Sequence, residues 1–550
     1  MVGTLSSALL SLLLASAAAH AATGAHEQQG HGNRRRLDKR LVWYVAPMAS
    51  TSQAPQTTST TTTSSRPAAT SSSSSTSSLQ WFVATTTRTR QSWRTTSAAS
   101  SIAASQTTQA PSAPSSTSAL STSPSPSPTS SSPSPSPTTT QPPPSTTTTT
   151  TTITTTTTTQ NTCAPTYGGA QTTIRGTGTL AKPTAFVKRS GQQLKLGNAN
   201  YRIVGPNLYW LCSDENASPW AAPPDKGRVR EALAIAVAMG ANTIRVHTCG
   251  ISVGPNSPYN LEPSKGVFQQ SLWDIRDYVL YAAREYGLRV ILPLTDNYDY
   301  YHGGKYSFID FFGLSKNNKG QKFYESRPVI AAFGEYITAI ITRVNTYTGI
   351  PYHQDPTILA WETGNELGGY INAEMWPPAS WTNQIINYIR AYDSQHLIID
   401  GTGGFWNYST NAVPDGLNIA KVDMMTDHGY PRNTGILNKE IALAKSAKKA
   451  FFIGEYDWTS TGGGVSLSSY LSAIEGAGSY LGDMIWNVMG HDAQCCAFVP
   501  HNDGYSLYYP NGNSAADQAN ILAVVKHWYK VTGRSQPSRL PAVACPQPVF

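Results

Sequence analysis

Residues 357–366 read Thr-Ile-Leu-Ala-Trp-Glu-Thr-Gly-Asn-Glu. An apolar run ends abruptly in polar residues, with carboxylates at Glu362 and Glu366. A short, continuous apolar run of this kind is the pattern of a strand buried on both faces. Residues 451–456, Phe-Phe-Ile-Gly-Glu-Tyr, repeat the design and end in Glu455. Outward from these two, the same pattern predicts strands at 203–211, 242–248, 289–294, 396–400, 422–426 and 484–488. Helix patterns stand between most of them. Asp225 caps one with apolar residues at Val229, Leu233, Ala236 and Val237, stopped by Gly240. Ser271 caps a second, stopped by Gly287. Pro328 opens a third, through Val344. Others are predicted at 381–393, 438–449, 467–476 and 515–532. Buried strands separated by helices imply a parallel sheet covered on its faces. Eight such units predict an α/β fold, a (β/α)8 TIM barrel with long loops. The alternative, a doubly wound open sheet, would carry a glycine-rich turn after its first strand. Asn207-Leu-Tyr-Trp210 stands there instead.

The barrel fills only the last part of the 550 residues. Residues 1–21 read as a signal peptide, with the apolar run at 8–19 and an A-x-A site at Ala19-His20-Ala21. Residues 22–48 form a possible pro-segment ending near the dibasic Lys39-Arg40. Residues 49–162 are mostly Ser, Thr and Pro, with no Asp or Glu. Such a stretch cannot bury enough apolar surface to fold, and reads as a disordered, O-glycosylated stalk. Residues 163–550 form the catalytic domain. The formal charge of +8 sits almost wholly in the first 162 residues, which hold nine Lys/Arg against two acids. The nearly neutral remainder argues against a nucleic-acid partner. No later segment is apolar for 18 residues, so no membrane span is expected. The chain is expected to be secreted, extracellular and monomeric, and to touch the cell wall through its stalk if at all. Six cysteines suit disulfides in that compartment. Cys212 and Cys249 follow neighbouring strands on one face, so their pairing is expected. Cys163 and Cys545 then pair with each other or with Cys495 and Cys496. Asn216-Ala-Ser218 and Asn407-Tyr-Ser409 are glycosylation sequons.

In a parallel barrel, chemistry sits at the carboxyl ends of the strands. Glu366 and Glu455 fall there, as do Arg245, Asn297, Asn365, His428, Tyr430 and Trp486. Two carboxylates on facing strand ends are what a retaining glycosidase needs, one as acid/base and the other as nucleophile. Glu366 is assigned as acid/base, with Glu362 its rival, and Glu455 as nucleophile. Arg245 and Tyr430 would hold Glu455 charged. Asn365, Asn297 and His428 would bind sugar hydroxyls, and Trp210, Tyr298 and Trp486 would offer flat faces to sugar rings. A metal on His428, His491 and His501 lacks any recognised ligand spacing, so no metal or other cofactor is expected.

Together these residues resemble glycoside hydrolase family 5, above all its secreted endo-β-1,4-mannanases. The resemblance runs from about 186 to 530. It rests on Val204-Gly-Pro-Asn-Leu-Tyr-Trp210, Gly266-Val-Phe268, Tyr286-Gly-Leu-Arg-Val-Ile-Leu292, the stretch from Thr342 to Glu362, and Asp503-Gly-Tyr505. It implies the same roles for Glu366 and Glu455, and an active-site Arg, Asn, His, Tyr and Trp at Arg245, Asn365, His428, Tyr430 and Trp486. It further implies a β-mannan-type polysaccharide as substrate. One departure stands out: the family's Asn-Glu is usually followed by Pro and a basic residue, and here by Leu367-Gly368-Gly369. A β-glucanase, an exo-β-mannosidase or an idle glycan-binding cell-wall protein are the alternatives.

Overall fold

The structure, a computed structural model, describes residues 180–369 and 375–550. The expected signal peptide, pro-segment and stalk, and Cys163, lie outside the described residues.

Eight parallel strands form one closed sheet: β1 (Val204–Pro206), β2 (Thr243–Arg245), β3 (Arg289–Pro293), β4 (Ile358–Glu362), β5 (Leu397–Asp400), β6 (Met424–Gly429), β7 (Ala450–Tyr456) and β8 (Leu481–Ile485). β8 pairs with β1. The ring closes between β1 and β2, where Leu208 N donates to Arg245 O at 2.9 Å and Asn242 N to Val204 O at 3.0 Å. The helices α1 (Lys226–Met239), α2 (Trp273–Tyr286), α3 (Arg327–Thr342), α4 (Ala379–Arg390), α5 (Thr434–Ala447), α6 (Leu467–Gly476) and α7 (Ala515–Val531) follow every strand but β5. There a 3-10 turn, Asp415–Asn418, takes the place of a helix. The fold is therefore the (β/α)8 barrel expected from the strand and helix pattern.

Local signals set most helix ends. Asp225 accepts from Gly227 N at 2.6 Å and starts α1, and Gly240 ends it at φ 97°. A β-carbon costs free energy at such a φ, so glycine suits the place. Gly287 ends α2 in the same way. The start of α2 differs from expectation. A 3-10 turn over Gln270–Leu272 carries the chain to Trp273, and no side chain caps the helix.

Side chains alternate between two cores. In β3, Val290 and Leu292 face the helices, whereas Ile291 points into the barrel. The inner core also takes Ala360, Ile399, Met424, Phe452 and Met484 from the following strands. Its amino-terminal end is closed by a small antiparallel sheet of Lys188–Ser190, Gln193–Leu196 and Ala199–Tyr201, whose Leu194 joins the inner core together with Val187. These strands of three or four residues were not foreseen, being too short to show a period.

Two bulges break the alternation. β4 pairs Ile358 with Val290 but Ala360 with Ile291. β7 pairs Ile453 with Asp427 but Glu455 with His428, leaving Gly454 as the extra residue. Phe451 and Ile453 face the helices, so without the bulge Glu455 would follow them outward. The extra residue turns it into register with His428, on the inner face begun by Met424. Among the described residues, no helix is long and apolar enough to cross a membrane.

Candidate active site

At the carboxyl end of the barrel, Arg245 is fully buried on β2. Its guanidinium grips Glu362 at the end of β4 through two bonds, Nε to Oε2 and Nη2 to Oε1, both 2.8 Å. Nη1 donates to Glu455 Oε1 at 3.0 Å and to Asn207 Oδ1 at 3.1 Å, and Nη2 to Asn365 Oδ1 at 2.8 Å. One cation thus organises β1, β2, β4 and β7. A fork of donors that matches two carboxylates is a property of arginine alone. Burial opposes its charge, but Glu362 and Glu455 outweigh that and raise its pKa.

Glu455 is held at both oxygens, by Arg245 on Oε1 and by the Tyr430 hydroxyl on Oε2 at 3.2 Å. Burial, with the charge of Glu455 beside it, pushes the Tyr430 phenol well above its ordinary range, so Tyr430 stays a donor. Glu366 lies four residues past the end of β4 with φ 51°. Its Oε1 meets His428 Nδ1 at 2.6 Å. His428 also comes within 3.5 Å of Glu455 Oε1. Burial works against its charged form, yet Glu455 and Glu366 prevail and raise its pKa above the ordinary histidine value. One donor atom from each of Glu366, His428 and Glu455 lies within 4.8 Å of the others. Both carboxylates are almost completely buried.

The backbone around Glu366 is spare. A β-carbon on Gly401 would stand 1.7 Å from Gly364 O, and one on Gly403 would stand 3.0 Å from Glu366 Cα. Leu367 N and Gly368 N donate to Gly401 O and Thr402 O, so β4 and β5 remain paired past the barrel rim.

The remaining expected residues are placed as follows. Asn365 N donates to Thr295 O, and Asn297 N to Asn365 O. The Asn297 side chain accepts from buried Lys305. Tyr298 sits partly exposed beside Tyr300, with ring centroids 5.4 Å apart. Trp486 follows β8; its Nε1 donates to Asp503 Oδ2 at 2.8 Å. Trp210 is the correction. It is fully buried, with its Nε1 on Val488 O and the Arg228 guanidinium 4.4 Å over its ring, so it has no face left for a sugar. The preceding residue, Tyr209, stacks on Trp486 instead, at 5.0 Å and 17°.

Glu362 is settled by geometry. Both its oxygens are taken by Arg245, so it is no rival for the acid. Sequence reasoning missed Asn207, Tyr209 and His247. Asn207 is the polar residue just past β1, and His247 lies two residues beyond Arg245, so position alone would have found both. Of the histidines weighed for a metal, His491 pairs with Glu231 and His501 lies by Tyr209 and Asp503. Among the described residues, two triads have ligand-like spacing: Glu366/His428/Glu455, and Glu231/His491/Cys545. Cys545 is in a disulfide with Cys495 and offers no thiolate. The expected Cys212–Cys249 disulfide is present, with Cα atoms 5.0 Å apart.

Parts of the chain are similar to known proteins. Residues 184–457, about half of the chain, match the family described as GH family 5 beta-mannosidase-like. Mannan endo-1,4-beta-mannosidase 4 of Oryza sativa subsp. japonica is 32% identical over 244 residues, covering 41% of this chain and 50% of that protein. Mannan endo-1,4-beta-mannosidase 1 of Arabidopsis thaliana is 29% identical over 258 residues, 46% of this chain and 60% of that one. The chain therefore spans only half to three fifths of those two relatives. The endo-1,4-beta-mannanase structure from Rhizomucor miehei superposes with TM-score 0.53 at 22% identity, over 64% of this chain and all of that one, a likeness of fold.

Proposed function

The chain belongs to glycoside hydrolase family 5, and on that premise we propose that it hydrolyses β-1,4-mannosidic bonds in mannan-type polysaccharides with retention of configuration. Glu455 is the nucleophile and Glu366 the acid/base. The observation that carries the reading is the pair of buried carboxylates with an oxygen of each within 4.8 Å of the other, Glu455 held by Arg245 and Tyr430 and Glu366 by His428. A gap of this order leaves room for a sugar carbon and its glycosidic oxygen but not for a water as well, which favours double displacement.

The chemistry follows from the partners. Arg245 and Tyr430 favour the charged form of Glu455. A Glu455 oxygen attacks the anomeric carbon as the bond to the leaving oxygen breaks, and Glu366 gives that oxygen its proton. His428 keeps the Glu366 carboxyl aimed during transfer. In the second half Glu366 takes a proton from water, the water oxygen attacks the same carbon, and Glu455 leaves as a carboxylate. Trp486, with Tyr209 behind it, offers a flat face to the sugar, and Asn365 and Asn297 supply polar partners. No cofactor enters this scheme. We further propose that the protein acts outside the cell as a monomer, with residues 163–550 as the catalytic unit; two disulfides suit an oxidising compartment.

The test is hydrolysis of mannan, glucomannan, cellulose and β-1,3-glucan by the enzyme and by Glu366→Gln. Mannan should be preferred. The variant should lose about 10²–10⁴-fold on polysaccharide, and much less on an aryl glycoside whose leaving group needs no proton. Full activity of the variant on mannan would remove Glu366 from its role. A preference for cellulose would replace mannan as substrate and leave the two-carboxylate chemistry in place.

A further inference from the structure

An acid that protonates the leaving oxygen fixes where the leaving sugar must lie. It lies on the Glu366 side of the cleft, against the wall formed by the chain just after Glu366 and by the turn after β5. That wall is nearly bare of side chains. It runs through Gly368 and Gly369 on one strand extension and Gly401, Gly403 and Gly404 on the other. Bare backbone gives a sugar nothing apolar to pack on.

One large side chain covers it. A β-carbon on Gly368 would stand 2.7 Å from Trp376 Cδ1 and 2.9 Å from Trp376 Nε1, with Thr402 Cγ2 at 2.8 Å. The pyrrole edge of the indole therefore rests on Gly368, two residues from Glu366, and Trp376 stays partly exposed. Gly368 stands in the loop where the family usually has Pro and a basic residue. Any side chain there would displace the indole. The glycine and the tryptophan thus act as one unit, which replaces a charge by a flat apolar face.

We propose that Trp376 is the platform of a leaving-group subsite, which packs against the C–H face of the sugar bonded to the departing oxygen. The proposal rests on the reading of Glu366 as acid/base. It has a second consequence, because a leaving-group subsite also holds acceptors. After the first displacement, a sugar hydroxyl bound there attacks the anomeric carbon in place of water, Glu366 takes its proton and Glu455 is released. The products are then transglycosylated oligomers.

The test uses the full chain and three variants: Trp376→Ala, Trp376→Phe and Gly368→Ala. For each, kcat/KM on a β-1,4-mannan oligomer is divided by kcat/KM on an aryl β-glycoside, which has no leaving sugar. Packing on one aromatic face is worth roughly a three- to tenfold effect. Trp376→Ala should lower the ratio by that factor and reduce the share of transglycosylation products. Trp376→Phe should restore most of both, and Gly368→Ala should resemble Trp376→Ala. An unchanged ratio overturns the proposal, whether both rates fall equally, as for a merely structural role, or neither falls. Failure of the mannan reading looks different: the parent enzyme is then inactive on mannan, and the same ratio is read on whichever β-1,4-glycan it cleaves. A parent that cleaves none overturns both.

Discussion

At the scale of single residues, Arg245 carries the densest set of contacts. It donates to Glu362, Glu455, Asn207 and Asn365 from a site with no exposure. Lysine offers one ammonium and no planar fork, so Arg245→Lys cannot hold two carboxylates at once. The expected result is a kcat about 10²–10³-fold lower, with a smaller change in KM, measured by steady-state kinetics on soluble mannan. Glu362→Ala leaves a buried cation short of a partner and should cost about 3–5 kcal/mol in chemical unfolding. A second buried acid makes a pH prediction. Glu262, in the loop after β2, has its pKa pushed up to about 7 by burial, which the bond from Gly266 N only partly offsets. A carboxyl whose folded pKa lies above its unfolded value binds more protons when folded. Its contribution to stability is therefore full below the unfolded value, near 4.5, and is lost as pH rises through about 7. Thermal unfolding should show a decline between about pH 4.5 and 7 that Glu262→Gln reduces, by about 1–3 kcal/mol in stability. An identical pH slope in the variant would reject the assignment.

At the scale of elements, the sequence disclosed the strands and the carboxylates at their ends but not the register that aims them. Ile358–Trp361 and Phe451–Ile453 announce themselves by composition, and Asp225, Gly240, Gly287 and Pro328 by their roles at helix ends. A bulge leaves no mark in a run of apolar residues, so nothing in Phe-Phe-Ile-Gly-Glu-Tyr reveals that Gly454 is the extra residue. Trp210 misled for a related reason. Beyond the three residues of β1 the chain leaves strand geometry, and the inward face passes to Tyr209. Gly454 is where register becomes chemistry. A β-carbon there would stand 2.5 Å from Thr426 Oγ1 and 2.9 Å from His428 Nε2. Gly454→Ala must therefore shift His428, which touches Glu366, or move Glu455 in the bulge. Activity should fall at least about tenfold, while unfolding shows a cost of about 1–3 kcal/mol, the usual range for overpacking. A variant with wild-type kcat would mean that the bulge does not aim the nucleophile.

At the scale of the whole molecule, the question is where the folded unit begins. The inner core of the barrel is open at its amino-terminal end until Val187 and Leu194 cover it. The small sheet over 188–201 is thus part of the fold, and a chain starting at residue 203 should fail to give a cooperative unfolding transition. A chain starting at residue 163 keeps that sheet and drops the expected signal peptide and pro-segment together with the Ser/Thr/Pro-rich sequence, which has too few apolar residues to contribute a core. It should retain wild-type kcat on soluble substrate. The choice of 163 rather than 180 turns on the cysteines. Cys212–Cys249 and Cys495–Cys545 are bonded, and Cys496 is disulfide-bonded too. The sixth cysteine of the sequence is Cys163, which lies outside the described residues, and it is the partner we predict. Peptide mapping under non-reducing conditions should therefore recover Cys163 joined to Cys496. Such a bond would fasten the start of the catalytic unit to the loop after β8, the loop whose Asp503 holds Trp486. Closing so long a loop constrains the unfolded chain by roughly 5–6 kcal/mol in the entropic account, above the roughly 2–4 kcal/mol typical of a disulfide. Cys163→Ser paired with Cys496→Ser should accordingly lower the unfolding midpoint while leaving kcat on short substrates close to the parent value. A map that finds Cys496 free, or an equal midpoint in the double variant, would detach the stalk from the barrel at this point.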